Sequence, residues 1–100
     1  MKLEFHRKFQ IDFEDATQYY LQKGGTELAQ SFINEVVGMF DKIRENPFLN
    51  SIVYDQVRRA RLKRFKYYAI RYVVVEEEDT VFFISLLSAV RHPDVGKDRF

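Results

Sequence analysis

The sequence predicts an α+β fold with the element order β-α-α-β-β-β, in which a small, mostly antiparallel sheet carries a helical hairpin on one face. Three observations predict this fold. Two segments repeat apolar residues at helical spacing, residues 57–75 alternate as paired strands do, and residues 80–90 are almost continuously apolar. A chain of 100 residues with 46% hydrophobic residues suits a single domain over residues 1–100.

The first strand and the first helix are predicted from a change of period near residue 7. Leu3 and Phe5 alternate with polar neighbours over residues 2–6, as in a half-buried strand. The pair Gly24-Gly25 ends the helix that follows, since glycine readily adopts the left-handed terminating geometry. The apolar face of this helix consists of Phe9, Phe13, Ala16 and Tyr20.

The second helix is predicted to begin near residue 26 and to end near residue 46. Thr26 is the expected N-cap, and Glu27 suits the first turn. Pro47 disfavours helical geometry in the residue before it, which places the end of the helix there. Its apolar stripe consists of Ala29, Phe32, Ile33, Val36, Phe40 and Ile43.

A basic ribbon, defined as residues 57–75, dominates the charge distribution. It holds seven of the sixteen Lys and Arg residues and no acid, whereas residues 1–55 carry six bases against nine acids and residues 76–100 carry three against six. Arg59, Arg61 and Lys63 are predicted to share one side of a strand, with Ala60 and Leu62 on the other. Residues 64–66 are the predicted connection to a second strand. Four residues of the second strand are predicted to share one side of it: Tyr68, Ile70, Tyr72 and Val74.

The remaining segments are predicted from weaker patterns. Residues 48–55 have no clear period and are interpreted as a loop, and the four consecutive acids at 76–79 as a solvated hairpin tip. The apolar run at 80–90 suits an inner strand buried on both faces. Arg91, His92 and Pro93 then break this strand.

Composition limits the classes of partner and of chemistry. The ribbon favours an anionic partner, although a solvated strand edge explains the same charges. The absence of cysteine excludes disulfides and thiolate ligands, and two histidines with one acidic run make a poor metal site, so no cofactor or metal is expected. No apolar run approaches the roughly 20 residues that span a bilayer, and the N-terminus has no apolar core of a signal peptide. We therefore expect a cytoplasmic location and no membrane contact.

One cluster has candidate chemistry. Arg59, Arg61 and Lys63, together with Arg91 and His92 beyond the last strand, could bind phosphates and stabilise charge in phosphoryl transfer. RNA cleavage also needs proton transfer, for which His92 has an ordinary pKa in the useful range. The alternative is that Arg91 and His92 cap the edge of the sheet and contact a partner protein.

Four features in this order resemble the RelE/ParE superfamily of toxins from bacterial toxin–antitoxin modules. They are the AQSFINEV helix at 29–36 with ENP at 45–47, the VRRARLKRFKYYAIRY segment at 57–72, the buried strand at 81–89, and RHPD at 91–94 with Arg99. The resemblance spans nearly the whole chain and implies the same element order. It also implies a cognate antitoxin that binds and neutralises the toxin in a hetero-oligomer.

The superfamily has two branches with different targets. RelE-like members cleave mRNA in the ribosomal A site with basic residues and usually a C-terminal tyrosine, whereas ParE-like members poison DNA gyrase. The Arg58-Arg59 pair, the Phe-Lys-Tyr at 65–67 and the RHPD ending look more like ParE. The tail here ends in Phe100 and has no tyrosine after Arg91, and it also lacks the tryptophan frequent in ParE-like endings.

The resemblance therefore predicts a ParE-like toxin that inhibits growth by binding DNA gyrase. An alternative is a ribosome-dependent mRNA endonuclease, and a further alternative is an inactive relic that still binds its antitoxin. The catalytic residues of the endonuclease would be Arg61, Lys63, Arg91 and His92. The predicted target-binding residues, for gyrase or nucleic acid, are Arg58, Arg59, Arg61, Lys63, Arg64 and Arg91.

Overall fold

The computed structural model describes residues 1–88, which form one helical span and five strands. Arg91 and His92, together with the predicted strand break, lie outside the described residues. A 3-10 turn at Glu76–Glu78 occupies the predicted acidic tip. The elements are β1 (Lys2–Phe5), α1 (Arg7–Glu45), β2 (Ile52–Tyr54), β3 (Val57–Arg61), β4 (Tyr68–Val75) and β5 (Thr80–Ser88).

The helical span α1 doubles back on itself at Gly25, where the backbone is non-helical with φ 76° and ψ −170°. The rings of Phe9 and Phe40 lie 5.9 Å apart. A straight helix would separate these positions by about 46 Å, so the two halves must pack side by side. The predicted helical hairpin is confirmed, and its halves are called here the first helical segment (residues 7–24) and the second (26–45).

The sheet has the strand order β1-β5-β4-β3-β2. β1 runs parallel to β5, and the other neighbours are antiparallel. The mixed but mostly antiparallel sheet confirms the predicted α+β class. Both helical segments pack on one face, here called the covered face, and the opposite face is called the open face.

The core between the helices and the covered face is rich in aromatic residues. Phe9, Phe32, Tyr72 and Phe83 are fully buried. The rings of Phe5 and Phe83 are stacked with centroids 5.0 Å apart, and this contact joins β1 to β5. Each aromatic side chain buries a large apolar area, about 150–250 Å², so these residues contribute strongly to the stability of the core.

The prediction of a loop over residues 48–55 is wrong for Ile52–Tyr54, which form β2. All three side chains of β2 are exposed, so the strand carries no alternation of buried and exposed positions. Asp55, with φ 46°, then turns the chain into β3. Aspartate tolerates this left-handed region better than most residues do.

The connection between β3 and β4 is longer than the predicted residues 64–66. β3 ends at Arg61 and β4 begins at Tyr68. Leu62 and Phe65, which lie in this connection, are buried, and the exposed Lys63 lies between them in the chain. Lys63 therefore lies in the turn and not on a strand beside Arg59 and Arg61.

The strand β5 is an inner strand, as predicted, but it is less uniformly buried than its composition suggests. Val81 and Phe83 are fully buried on the covered face. Phe82 and Ile84 are half-buried. The reason is that no second layer packs on the open face within residues 1–88.

His6 ends β1 and caps the first helical segment. Its Nδ1 accepts a hydrogen bond from the backbone N–H of Lys8 at 2.9 Å. The observed strand β1 is therefore one residue shorter than the predicted strand over residues 2–6. Neither half of the hairpin, within the described part of the chain, is long and apolar enough to cross a membrane.

Candidate functional site

Three arginines lie together on the open face. Arg59 of β3 pairs in register with Arg71 of β4, and Arg61 pairs with Ala69. The intervening pair, Ala60 and Ile70, is fully buried in the core on the covered face. Because successive side chains alternate between the faces of a sheet, the three arginines project from the open face. Arg59 and Arg61 are exposed, and Arg71 is half-buried.

Within residues 1–88, no salt bridge neutralises the positive charge of this cluster. Arg59 and Arg71 are directly opposite each other, an arrangement that destabilises a sheet when both residues carry the same charge. Within residues 1–88, no cation of the ribbon forms a salt bridge with an acid; the salt bridge seen there joins Lys8 and Asp12. The open face therefore presents a positive potential that favours an anionic ligand or an acidic protein surface.

An aromatic side chain from β2 extends this cluster. The ring of Tyr54 lies with its centroid 5.6 Å from the guanidinium carbon of Arg71. Cations within about 6 Å of an aromatic ring are attracted to its face. The contact orients Arg71 and places an exposed tyrosine at the rim of the arginine cluster.

The turn after β3 adds two exposed cations, Lys63 and Arg64. Their backbone N–H groups both donate to the carboxylate of Glu35 on the second helical segment, at 3.1 Å from Arg64 N to Oε1. Because Glu35 is occupied by main-chain donors, the Lys63 side chain stays available outside the turn. The guanidinium of Arg64 lies 5.4 Å from the centroid of Phe65.

Arg58 is placed differently from the other predicted binding residues. It is half-buried, and its Nη1 donates to the carbonyl oxygens of Asn50 at 2.7 Å and Phe48 at 3.2 Å. Its guanidinium also lies 5.1 Å from the Phe48 ring. Arg58 thus holds the segment before β2, and its predicted role in target binding stays a prediction.

Tyr72 also contacts the segment before β2, through hydrogen bonds of its hydroxyl group. Its hydroxyl donates to the carbonyl of Pro47 at 2.8 Å and accepts from Asn50 Nδ2 at 3.1 Å. Burial raises the pKa of Tyr72 above its ordinary value of 10.0, against the opposing effects of the Asn50 hydrogen bond and the Arg58 charge. Tyr72 and Arg58 together fix where β2 begins and hence where Tyr54 lies.

Sequence reasoning missed two carboxylates that position these elements. Asp12 is buried and accepts from the backbone N–H of Leu86, and Glu35 anchors the β3–β4 turn. Asp12 does leave a trace in the sequence, because it lies three residues after Phe9 and four before Ala16, within the apolar stripe. The sequence gives no such signal for Glu35, because a glutamate on the polar face of a helix is common and does not indicate a tertiary contact.

The predicted catalytic set is only partly within the described residues. Arg61 lies on the open face and Lys63 in the turn, whereas Arg91 and His92 fall outside residues 1–88. Within that range, no group of three or more His, Asp or Glu side chains is arranged to hold a metal ion. The described part of the site can bind anions, and its arginines can stabilise negative charge.

A helical hairpin packed on a mostly antiparallel sheet is the fold that the resemblance to the RelE/ParE superfamily implies. The family described as the ParE toxin of the type II toxin–antitoxin system parDE matches residues 3–93. The chain therefore belongs to the ParE toxin family.

Solved structures share this fold at low sequence identity. A chain of the chromosomal ParDE toxin–antitoxin system from P. aeruginosa has a TM-score of 0.76 and 16% identity, covering 88% of this chain and 95% of that one. A chain of the intact E. coli RelBE complex has a TM-score of 0.62 and 19% identity, covering 90% and 98%. The isolated E. coli RelE toxin has the same score and identity, covering 98% and 94%. Pairwise sequence comparison with curated proteins gave no significant match.

Proposed function

We propose that this protein is a growth-inhibiting toxin that acts by binding DNA gyrase and is neutralised by a cognate antitoxin. The observation that carries the proposal is the arginine cluster Arg59, Arg61 and Arg71, which lies on an open sheet face and forms no salt bridge within residues 1–88. Membership of the ParE toxin family supports the same conclusion.

The proposed mechanism is binding without bond chemistry. Gyrase is a large protein that works on DNA, and a positive face of this kind would engage an acidic surface of it or the DNA it holds. The second helical segment supports the sheet from behind, and Glu35 keeps the turn cations outside. The backbone that presents these cations is already ordered in the sheet, so binding does not have to fix the spacing of the strands.

A supercoiling assay tests this function. Purified protein, in molar excess over gyrase, is expected to inhibit the supercoiling of relaxed plasmid DNA. Undiminished supercoiling at high excess would contradict the gyrase proposal.

The antitoxin is proposed from the same family relationship. The structural relatives include chains from the P. aeruginosa ParDE system and the E. coli RelBE toxin–antitoxin complex. We expect a short neighbouring gene whose product binds this chain and restores growth when both are expressed. Failure of that product to restore growth would contradict neutralisation by a neighbouring antitoxin.

One observation favours a second candidate, a ribosome-dependent mRNA endonuclease. Tyr54 lies over Arg71 beside the other arginines, and aromatic rings next to cations are the usual platform for single-stranded RNA. Arg61 and Lys63 would stabilise charge, and Arg91 and His92 would complete the set. Primer extension on translated mRNA after induction decides between the two, because A-site cuts are expected only of the endonuclease.

A further inference from the structure

The strand β1 forms the edge of the sheet that lies farthest from β2. It is the first strand in the order β1-β5-β4-β3-β2, so one of its sides has no neighbouring strand within residues 1–88. Two strands, β5 and β4, separate it from β3. An edge strand with unpaired backbone groups is a template for another strand.

The hydrogen bonds between β1 and β5 show which backbone groups of β1 point outward. The N–H of Lys2 donates to the carbonyl of Asp79 at 2.8 Å, and the N–H of His6 donates to the carbonyl of Phe83 at 2.8 Å. In a strand, the backbone groups of successive residues point to opposite sides, so every second residue bonds to the same neighbour. The N–H and C=O of Leu3 therefore point away from β5, to the free side of β1.

The side chains of β1 alternate between an apolar and a charged face. Phe5 stacks on the ring of Phe83 on the covered face, and Leu3 packs against the same core. Both Leu3 and Phe5 are only half-buried. Lys2 and Glu4 point to the open face and are exposed. Within residues 1–88, neither of these two charged side chains forms a salt bridge.

This strand is complementary to a second copy of itself. Two copies of β1 can pair antiparallel about a twofold axis, so that each contributes the same surface. When the axis lies at Leu3, the two Leu3 residues face each other and exchange both of their outward hydrogen bonds. Lys2 then lies opposite Glu4 of the second copy, and Glu4 opposite Lys2 of the second copy. These are non-hydrogen-bonded pairs, in which side chains approach most closely, so the opposite charges attract.

Charge also distinguishes this register from its neighbours. A slip of two residues is the smallest that keeps outward backbone groups paired. In one direction it places Lys2 opposite Lys2, and in the other it places Glu4 opposite Glu4. Like charges directly opposite each other destabilise a sheet. Charged residues usually protect an edge from self-pairing, but the order Lys2-Leu3-Glu4 opposes the slipped registers and favours the one centred on Leu3.

We propose that two copies of this chain form a dimer through β1, antiparallel and centred on Leu3, which joins their two five-stranded sheets into one. This inference goes beyond the proposed function and does not use the arginine cluster. The paired segment is short, so the interface is smaller than that of a permanent dimer. The dimer is therefore reversible, with a dissociation constant on the order of 100 μM.

The dimer has a consequence for the cationic face. The twofold axis of an antiparallel pair is perpendicular to the sheet, so the open faces of both copies lie on the same side. Each open face carries the cluster of Arg59, Arg61 and Arg71. The dimer thus presents two equivalent cationic sites to one side, which strengthens binding to any partner that can contact both.

Sedimentation equilibrium of the untagged full chain, from about 10 μM to about 1 mM, tests the association. The average mass should rise from that of one chain toward that of two. Hydrogen exchange at the Leu3 amide should slow over the same range of concentration, because that N–H becomes bonded in the dimer. A chain that stays monomeric at about 1 mM, or one that associates without slower exchange at Leu3, would overturn the proposal.

Charge reversal tests the register. Lys2→Glu places acids opposite each other and Glu4→Lys places bases opposite each other, so each variant alone should dimerise at least about tenfold more weakly. An equimolar mixture of the two variants restores opposite charges at both pairs and should form a mixed dimer with an affinity within about threefold of the parent's. Lys66→Glu, at an exposed position in the β3–β4 turn, makes the same change of charge as Lys2→Glu and should dimerise within about twofold of the parent.

Circular dichroism checks that the variants are folded, which is expected because the substituted side chains are exposed. Unchanged dimerisation of the two single variants would refute the pairing of Lys2 with Glu4. A mixture that associates no better than either variant alone would refute it as well. Equal weakening by Lys66→Glu would show that net charge, and not this edge, controls the association.

Discussion

The carboxylate of Asp12 accepts a hydrogen bond from the backbone N–H of Leu86 at 3.1 Å, which joins the first helical segment to β5. Asp12 is 4% exposed, and the same oxygen accepts from Lys8 Nζ at 3.0 Å. Leu86 follows the irregularity in the pairing of β4 and β5, where the register shifts beside Arg71. A buried carboxylate thus satisfies a main-chain donor next to the strand that carries one of the site arginines.

Asp12→Ala is expected to lower the free energy of unfolding by about 2–3 kcal/mol, because it leaves the buried N–H of Leu86 without its charged acceptor. Asp12→Asn keeps an acceptor oxygen and should cost less. Urea denaturation measures both. The control is Asp41→Ala on the exposed helix surface, and an Asp12→Ala cost no larger than that of the control would contradict the assignment.

Two glycines provide a matched pair of substitutions with opposite expected signs. A Cβ at either Gly25 or Gly38 would meet no atom within 4 Å, so only the backbone distinguishes them. Gly25 has φ 76° and ψ −170°, a region open essentially to glycine alone, and Gly25→Ala should destabilise by about 1–3 kcal/mol. Gly38 lies within the helical span, and Gly38→Ala should stabilise by about 0.5–1 kcal/mol.

Thermal or urea unfolding of the two variants checks this pair. The same sign for both substitutions would contradict the interruption of the helix at Gly25.

Glu35→Ala is expected to loosen the turn that carries Lys63 and Arg64, since both N–H groups lose their acceptor. The effect on stability should be about 1 kcal/mol, because these hydrogen bonds are exposed. Hydrogen exchange at the two amides is the more sensitive readout and should accelerate. Glu14→Ala, on the exposed surface of the first helical segment, is the control and should leave both amides unchanged.

Tyr72→Phe removes the donor to the Pro47 carbonyl and should cost about 1–3 kcal/mol near neutral pH. The exposed Tyr67→Phe is the control and should cost far less. Retention of full stability in Tyr72→Phe would contradict the hydrogen-bond network described here.

The pH dependence of stability has a definite sign. The pKa of Tyr72 is raised by burial above 10.0, so the folded state holds the phenol proton at a pH where the unfolded state has lost it. The contribution of Tyr72 is therefore complete below pH 10 and is lost as pH rises through the folded pKa. The difference in unfolding free energy between the parent chain and Tyr72→Phe should shrink above pH 10. A difference that grows with pH would contradict the buried phenol.

Local patterns were sufficient for the elements whose side chains alternate or repeat. Phe9 and Phe40 fall on apolar stripes, and Gly24-Gly25 interrupts them, so the hairpin could be predicted. Ala60 and Ile70 mark the buried side of the ribbon, and Arg59 and Arg61 were correctly predicted to be on the opposite side.

The rest depends on contacts between distant parts of the chain. Ile52–Tyr54 has no period because neither face of β2 is covered. Phe65 of the β3–β4 connection packs against Phe32 of the second helical segment, with ring centroids 5.1 Å apart, a contact that no local pattern in the sequence indicates. The hydrogen bonds of Asp12 and Glu35 join residues 74 and 28 positions apart, beyond the range of any local pattern.

Inhibition of gyrase supercoiling by a charge-reversed variant tests the central claim most directly. Arg59→Glu with Arg61→Glu leaves the core untouched, because both side chains are exposed on the open face. The double variant is expected to need at least about tenfold more protein for half-maximal inhibition than the parent chain. Arg44→Glu, at an exposed position at the end of the helical span, should remain within about twofold. A folded double variant that inhibits gyrase as well as the parent chain does would contradict the claim that the open-face arginines bind the target.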